Sequence, residues 1–283
     1  MSKPLRVLSL GAGVQSTTLF LMSCDGVLPK LDHAIFADTG WEPQEVYEHF
    51  EWLQERAADA GIPVHVVSAG NIREHSVEGF IGANQSKNQR YATMPLHVLN
   101  PDGSRGMVRR QCTREYKIEP IEKKISEIIG RKKGERWPTE PVVDQWFGIS
   151  ADELRRVRMP SQLWKRHIYP LVGLPEPMLE RSMTRQGCIE WLRQNYADRH
   201  IPRSACIGCP YRDNKSWRWL RDNAPDEWAD AVEVDRAIRN ANKMDGQAFL
   251  HRDTVPLDQA KIDEDADQGQ LFRDDDCLGY CGT

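Results

Sequence analysis

Two apolar runs near the N terminus end in small and polar residues, and this pattern constrains the fold more than any other feature. The first run, Leu5 to Leu10, leads into a Gly-Ala-Gly loop at residues 11–13. The second run, His33 to Ala37, ends in Asp38 and Thr39. In a parallel sheet, strand ends of this kind lie at one edge and form a nucleotide site. The sequence therefore predicts a nucleotide site built from both strand ends.

The spacing of the apolar segments predicts an α/β fold. Three buried strands alternate with two helices, at Leu5 to Leu10, Ser16 to Met22, Leu31 to Ala37, Pro43 to Ala60 and Val64 to Val67. This alternation is typical of a doubly wound, mostly parallel sheet with helices on both faces. The later predicted elements are a helix, a strand, a helix and one or two further helices, at Glu115 to Gly130, Val142 to Ile149, Arg185 to Asn195 and Ser216 to Asn242, the last interrupted at Pro225.

These segments divide the chain into three parts. Residues 1–200 are expected to form the nucleotide-binding α/β domain, in which residues 70–111 cover the site as loops and short helices. Residues 201–250 are expected to form a helical appendage that carries a C-x-x-C motif. Residues 251–283 are acidic and are expected to form a flexible tail, which ends in two further cysteines.

Composition places the chain among ordinary globular proteins. It has 283 residues, of which 40% are hydrophobic and 28% charged, with a net charge of -4. This charge gives no global attraction to nucleic acid or acidic lipid, so local patches would have to supply one. No apolar segment reaches the length of a membrane span, and polar residues 15–18 interrupt the N-terminal apolar stretch. We therefore expect a cytoplasmic protein without a membrane partner.

The loop after the first strand has the composition of a phosphate site. Its glycines permit a close backbone approach and positive φ, so that successive N–H groups can point at one anion. The helix that follows adds its positive N-terminal end. The residues expected to surround the phosphate are Ser9, Gly11, Gly13, Gln15, Ser16 and Thr17. A plain tight turn is the alternative interpretation of the same loop.

The seven cysteines point to metal binding or redox chemistry. The number is odd, and a chain of this length needs no disulfide staples. Cys206 and Cys209 form a C-x-x-C knuckle with Gly208 at its bend, and two thiolates at that spacing can hold one metal centre. Cys24 and Cys188 lie in apolar, helix-like contexts and are expected to be packing residues.

Four segments together resemble the PP-loop superfamily, and within it the branch of phosphoadenylyl-sulfate reductases. They are Ser9 to Thr17, Asp38 to Tyr47, Cys112 to Ile121 and Gly148 to Arg156, and the likeness spans residues 5–215. The usual loop of the superfamily is Ser-Gly-Gly-x-Asp-Ser. Here the loop is longer, and Gln15 stands where that Asp is common. The reductase branch also lacks the Asp. The resemblance therefore favours nucleotide binding over ATP cleavage.

The resemblance implies a set of nucleotide-binding residues beyond the loop. Asp38 and Thr39 would border an adenine nucleotide, with Gly148 and Asp152 behind it. The nucleotide would be ATP or an adenylyl sulfate, and Mg²⁺ is a further candidate cofactor. Arg109, Arg110 and Arg114 would grip substrate phosphates and tune a nearby cluster. A solvated face is the alternative for these cations, and the Lys-rich stretch that follows could instead contact a nucleic-acid backbone.

The resemblance also implies an iron–sulfur cluster. Cys112 corresponds to a segment that supplies cysteine in cluster-bearing relatives, so it would join Cys206 and Cys209 as a third ligand of a [4Fe–4S] cluster. The fourth ligand would come from the tail, as Cys281, or the iron would stay open to bind sulfur. Zinc held by the same thiolates and a metal-free redox pair are the alternatives.

The tail cysteines Cys277 and Cys281 are the candidate reactive thiols. Phosphoadenylyl-sulfate reductases end in a mobile segment whose cysteine attacks the sulfonate sulfur of the substrate, and this tail is similar in placement. It carries two cysteines and lacks the usual Glu-Cys-Gly-Leu ending. A disordered end with incidental cysteines is the alternative.

Three functions are consistent with these residues. The preferred one is sulfur transfer on an adenine nucleotide, with a thioredoxin-like reductant or a sulfur donor as partner. The second is ATP-dependent thiolation of a tRNA or DNA base, with the nucleic acid as partner. The third is a non-catalytic module that binds nucleotide and metal. The oligomeric state is left open.

Overall fold

The computed structural model describes residues 3–77, 94–132, 134–240 and 245–264, and its elements are numbered along the chain. The strands are β1 (Leu5–Leu10), β2 (His33–Asp38), β3 (Val64–Ser68), β4 (His97–Leu99), β5 (Arg105–Met107), β6 (Val143–Trp146), β7 (Lys165–Ile168) and β8 (Gln247–Phe249). The helices are α1 (Val14–Cys24), α2 (Gln44–Ala60), α3 (Ile72–Val77), α4 (Glu119–Ile128), α5 (Arg185–Asn195), α6 (Asn214–Asn223) and α7 (Pro225–Ala237).

Five strands form an all-parallel sheet in the order β3-β2-β1-β6-β7, which confirms the predicted parallel α/β fold. From β1 the chain moves outward through β2 to β3, and it later returns to the other side of β1 with β6 and β7. The strand order therefore reverses between β1 and β6. In sheets of this kind, ligands bind at such a reversal, beyond the carboxyl ends of the strands.

Helices cover both faces of this sheet because successive strand side chains point to opposite sides. On one face, Leu8 and Leu10 of β1 share a core with Leu19 of α1 and Leu53 of α2. On the other face, Val7 packs in a separate core with residues of α4, including Ile121. Helix α1 is buried along nearly its whole length, as expected for the central helix of such a sheet.

A third core lies under the C-terminal helices. It joins Trp217 of α6 and Val234 of α7 to Leu96 and Ala248, which adjoin or belong to a small antiparallel sheet. That sheet has the order β5-β4-β8, so residues near 100 and near 248 pair with each other. The predicted division at residues 200 and 250 stays a prediction, but the C-terminal region is tied to residues 97–107 by this sheet.

Several predicted boundaries differ from the observed ones. The segment predicted as one helix over 115–130 is a π-helical turn, Thr113–Ile118, followed directly by α4. The strand predicted to end at Ile149 ends at Trp146, because the chain turns at Gly148 against α1. The segment predicted as loops and short helices over residues 70–111 contains the short helix α3, as expected, and also the strands β4 and β5, which were not predicted. Of the described residues, none lie in a helix long and apolar enough to cross a membrane.

Candidate functional site

The loop after β1 lies at the reversal of strand order. Ala12 adopts a φ of 54°, and Gly13 precedes α1 without any side-chain cap on the first helical N–H groups. The Ser16 hydroxyl accepts from the Gly11 N–H and donates to the Gly13 carbonyl, both at 3.2 Å, which closes the loop on itself. An uncapped helix N terminus behind a loop of this shape can receive an anion.

Gly148 brings the end of β6 against the start of α1. A Cβ at Gly148 would stand 2.7 Å from the Ser16 nitrogen, so a larger residue cannot occupy this position without displacing the loop. Gln15 spans the same junction, since its Nε2 donates to Ser150 Oγ at 3.3 Å and to Glu153 Oε2 at 3.2 Å. Within the described residues its buried Oε1 has no hydrogen-bond partner. The two strand ends are thus joined at one polar point.

Other residues of the predicted phosphate site have partners of their own. Ser9 accepts from Gln145 Nε2 at 3.0 Å within the sheet, and Thr17 Oγ1 lies 3.0 Å from His49 Nε2. Asp152 accepts from the N–H of Arg185, the first residue of α5, at 3.0 Å. These contacts fix the residues around the loop, whereas residues 11–13 form the loop itself and residues 14–16 form the first turn of α1.

The end of β2 forms the second wall of the site. Asp38 Oδ1 accepts from the Gly40 N–H and from the Tyr47 hydroxyl, each at 2.8 Å. Burial, and then the Asp38 carboxylate, raise the pKa of Tyr47, so its hydroxyl stays a donor. Thr39 Oγ1 donates to Glu42 Oε1 at 3.0 Å and lies 3.3 Å from Cys206 Sγ. The predicted nucleotide wall therefore touches the predicted metal knuckle.

The knuckle also contacts the predicted phosphate loop and the Trp41 ring. A Cβ at Gly13 would stand 3.1 Å from the Cβ of Ser204, so the chain just before Cys206 lies on the loop. A Cβ at Gly208 would stand 2.1 Å from the Trp41 ring, so only glycine fits the bend. The Ile207 N–H donates to the Trp41 carbonyl at 2.9 Å.

The three predicted cysteine ligands face one pocket. Its lining comprises Cys112, Cys206 and Cys209 together with Thr39, Ile72, Met94, Pro95, Arg110, Lys117, Pro210 and Tyr211. Thus the structure brings together cysteines from two distant segments of the chain. As placed in the described ranges, no three His, Cys, Asp or Glu side chains form a group that could hold one ion. The predicted fourth ligand, Cys281, lies outside the described residues, as does Cys277.

The predicted arginines separate into two groups. Arg110 lines the three-cysteine pocket, and its guanidinium lies 5.4 Å from the Tyr211 ring centroid. Arg109 is exposed. Arg114 is also exposed, and its Nε donates to Glu119 Oε1 at 2.8 Å. Arg110 is therefore the one of the three that the structure puts at the pocket.

Three charged residues at the pocket were not predicted. Glu42 and Lys117 are both buried, with 3.9 Å between Lys117 Nζ and Glu42 Oε1, and Cys206 Sγ lies 3.7 Å from the same oxygen. Arg212 is buried behind the knuckle. In the sequence nothing distinguishes these three residues from the other charged residues around them, and only tertiary packing reveals their positions.

Comparisons of the chain with protein-family models, with curated proteins and with solved structures each find no match. The interpretation of the site therefore depends on its own geometry. The donor set of the pocket suits soft metals and clusters, because thiolates are the ligands that Fe–S centres and zinc prefer.

The two described cysteines outside the pocket, Cys24 and Cys188, differ chemically from the pocket cysteines. Burial raises the pKa of Cys188 to about 12 and that of Cys24 to about 11, so both thiols are poor nucleophiles and ligands at neutral pH. Cys188 packs in the core that joins α1 to α5, which agrees with its predicted packing role. Cys24 is only half-buried and therefore serves as a convenient control position.

Proposed function

We propose that this chain is a PP-loop sulfur-transfer enzyme of the phosphoadenylyl-sulfate reductase type. It binds an adenine nucleotide at the reversal of strand order and uses a thiolate-held centre in the three-cysteine pocket. The observation that carries this proposal is the convergence of Cys112, Cys206 and Cys209 on one pocket beside the end of β2.

The contact between the knuckle and the loop supports a single active centre. Ser204 rests on Gly13, and Thr39 contacts Cys206, so the phosphate end of a bound nucleotide and the pocket sulfurs would be neighbours. Arg110 lines that pocket and supplies a cation for an anionic substrate group. Gln15 in place of an acidic residue favours binding and reduction of an adenylyl sulfate over cleavage of ATP.

The cofactor proposed for this site is a [4Fe–4S] cluster held by Cys112, Cys206 and Cys209, with Cys281 as fourth ligand or with one iron open to sulfur. In the reductase reaction a tail thiolate attacks the sulfonate sulfur, and the bond from that sulfur to the nucleotide phosphate oxygen breaks. A second thiol then displaces sulfite and leaves a disulfide. The dithiol of a thioredoxin-like partner supplies the two electrons that restore the thiols.

Anaerobic purification tests the metal centre. We expect the wild type to be brown, with iron and acid-labile sulfide, and Cys112→Ser, Cys206→Ser and Cys209→Ser each to lose most of the iron. Cys24→Ser is the matched control and should retain it, because Cys24 lies away from the pocket. Zinc in place of iron would support the zinc alternative. A wild type free of both metals would contradict the proposal.

Turnover assays distinguish the candidate reactions. With a dithiol reductant, we expect sulfite release from an adenylyl sulfate, and loss of that release when Cys277 and Cys281 are both changed to Ser. Conversion of ATP to AMP that depends on added tRNA or DNA would instead select the thiolation enzyme. Nucleotide binding without turnover in either assay would favour the non-catalytic module.

A further inference from the structure

Arg212 clamps the C-x-x-C knuckle from behind. Its Nε donates to the carbonyls of Cys206 and Ile207 at 3.2 and 2.9 Å, and its Nη2 donates to the Ala205 carbonyl at 3.2 Å. Its own backbone N–H donates to the Cys209 carbonyl at 3.0 Å. One residue therefore fixes the backbone on both sides of the two thiols.

Among the described residues no carboxylate contacts the Arg212 guanidinium as an ion pair, and Glu227, Glu45 and Asp213 act on its charge only from beyond contact distance. The residue itself is buried. By contrast, the buried cations Lys117 and Lys165 contact Glu42 and Glu122 at 3.9 and 2.6 Å. Carbonyl groups satisfy the donors of a guanidinium but supply no net charge. A buried cation without a contacting anion is costly, so this position favours an anion close to the guanidinium.

The groups that can supply that anion are the knuckle thiols. Arg212 contacts the backbone of both cysteines, since its Nε donates to the Cys206 carbonyl and its N–H donates to the Cys209 carbonyl, so thiolates at these two positions lie close to its charge. The Trp217 ring, 5.7 Å from the guanidinium, adds a weak attraction but no charge. A metal held by several thiolates carries the negative charge that the clamp lacks.

We propose that Arg212 is the positioning residue of this centre: it holds the knuckle backbone in place, and its buried charge balances that of a thiolate-bound metal. This inference rests on the proposed function. It assigns to Arg212 a role in metal loading as well as in folding.

Titration of the full-length protein with Co²⁺ in reducing buffer tests the role, because thiolate-bound Co²⁺ gives a charge-transfer absorption band. We expect Arg212→Gln to bind Co²⁺ about 10–100-fold more weakly than the wild type, the usual loss for a residue that orients metal ligands. Arg239→Gln is the matched control. Arg239 also donates to a carbonyl and lies over a ring, 3.7 Å from the Phe249 centroid, so its loss should reduce stability without changing the Co²⁺ affinity.

Arg212→Lys separates charge from clamping and serves as the second variant if Arg212→Gln does not fold. It keeps the charge but cannot bridge the carbonyls, so we expect weaker Co²⁺ binding with a folded circular-dichroism spectrum. In anaerobically prepared protein, Arg212→Gln should shift the midpoint potential of the centre to more negative values, and Arg212→Lys should leave it unchanged. Wild-type Co²⁺ affinity in both folded variants would overturn the role of Arg212 alone. A wild type that binds no Co²⁺ would overturn the proposed centre with it.

Discussion

At the scale of single residues, two buried histidines make the protein sensitive to acid. Burial lowers the pKa of His49 to about 3 and that of His167 to about 4, so both rings are neutral in the folded state. Arg199 and His200 add to the effect at His49. In the unfolded chain a histidine binds its proton near pH 6.5. Between these values the unfolded state holds more protons, so stability is lost as the pH falls below about 6.5.

We predict that His49→Gln flattens this loss. One such histidine contributes a slope of about 1.4 kcal/mol per pH unit between about pH 6.5 and the folded pKa. The variant should show a shallower fall in the free energy of unfolding from pH 7 to 5, measured by urea denaturation. Phe50→Leu, a non-titrating change on the same helix, should lower stability but keep the wild-type slope. If the free energy of unfolding falls with the same slope in His49→Gln and in the wild type, His49 is not the cause of the acid sensitivity.

Residue identities at the site could be predicted where a motif or a local bend marks them. Gly208 at the knuckle bend follows from the motif itself, and the structure adds the reason, the Trp41 ring against it. Glu42 and Arg212 could not be predicted, because no period or spacing marks them. Their roles arise from the packing of β2 against a segment far along the chain, which local sequence does not encode.

At the scale of elements, the strands and helices over residues 5–68 could be predicted because each is long and has a clear apolar pattern. Strand β7 was not predicted, because its sequence Lys-Arg-His-Ile is polar; its pairing with β6 and ion pairs such as Lys165 with Glu122 at 2.6 Å stabilise it in the fold. Strands β4, β5 and β8 have three residues each, too few to show alternation, and β8 pairs with a distant partner. Their pairing depends on tertiary contacts rather than on propensity.

Helix α6 begins immediately after the clamp, and its cap is testable. Asp213 Oδ1 accepts from the Ser216 N–H at 2.7 Å, which satisfies one of the first helical donors. We predict that Asp213→Ala lowers the free energy of unfolding by about 1 kcal/mol, within a range of roughly 0.5–2 kcal/mol. Urea denaturation at neutral pH measures this change in the free energy of unfolding. Asp213→Ser can still cap and should retain most of the stability; equal losses in both variants would show that the Arg203 ion pair matters more than the cap.

At the scale of the whole molecule, the proposed active centre joins two separately packed regions. The loop at residues 11–13 and α1 belong to the core on one face of the parallel sheet. The knuckle belongs to the third core, with α6, α7 and the strands of the small sheet. The distance between a bound phosphate and the pocket sulfurs therefore depends on how the third core packs against the parallel sheet. This holds although no residue of α6 or α7 lines the pocket.

A matched pair of core truncations separates these regions. Leu220 of α6 and Leu19 of α1 are both fully buried, one in the third core and one in the first. Each Leu→Ala change should lower the free energy of unfolding by about 2–5 kcal/mol.

Hydrogen exchange shows which region each change opens, because regions with separate cores open as partly independent units. Exchange should speed up in β4, β8 and the knuckle for Leu220→Ala, and in β1 and α1 for Leu19→Ala. Only Leu220→Ala should also accelerate release of a bound metal. Uniform loss of protection in both variants would mean that the chain opens as one unit, and the active centre would then be as rigid as the sheet itself.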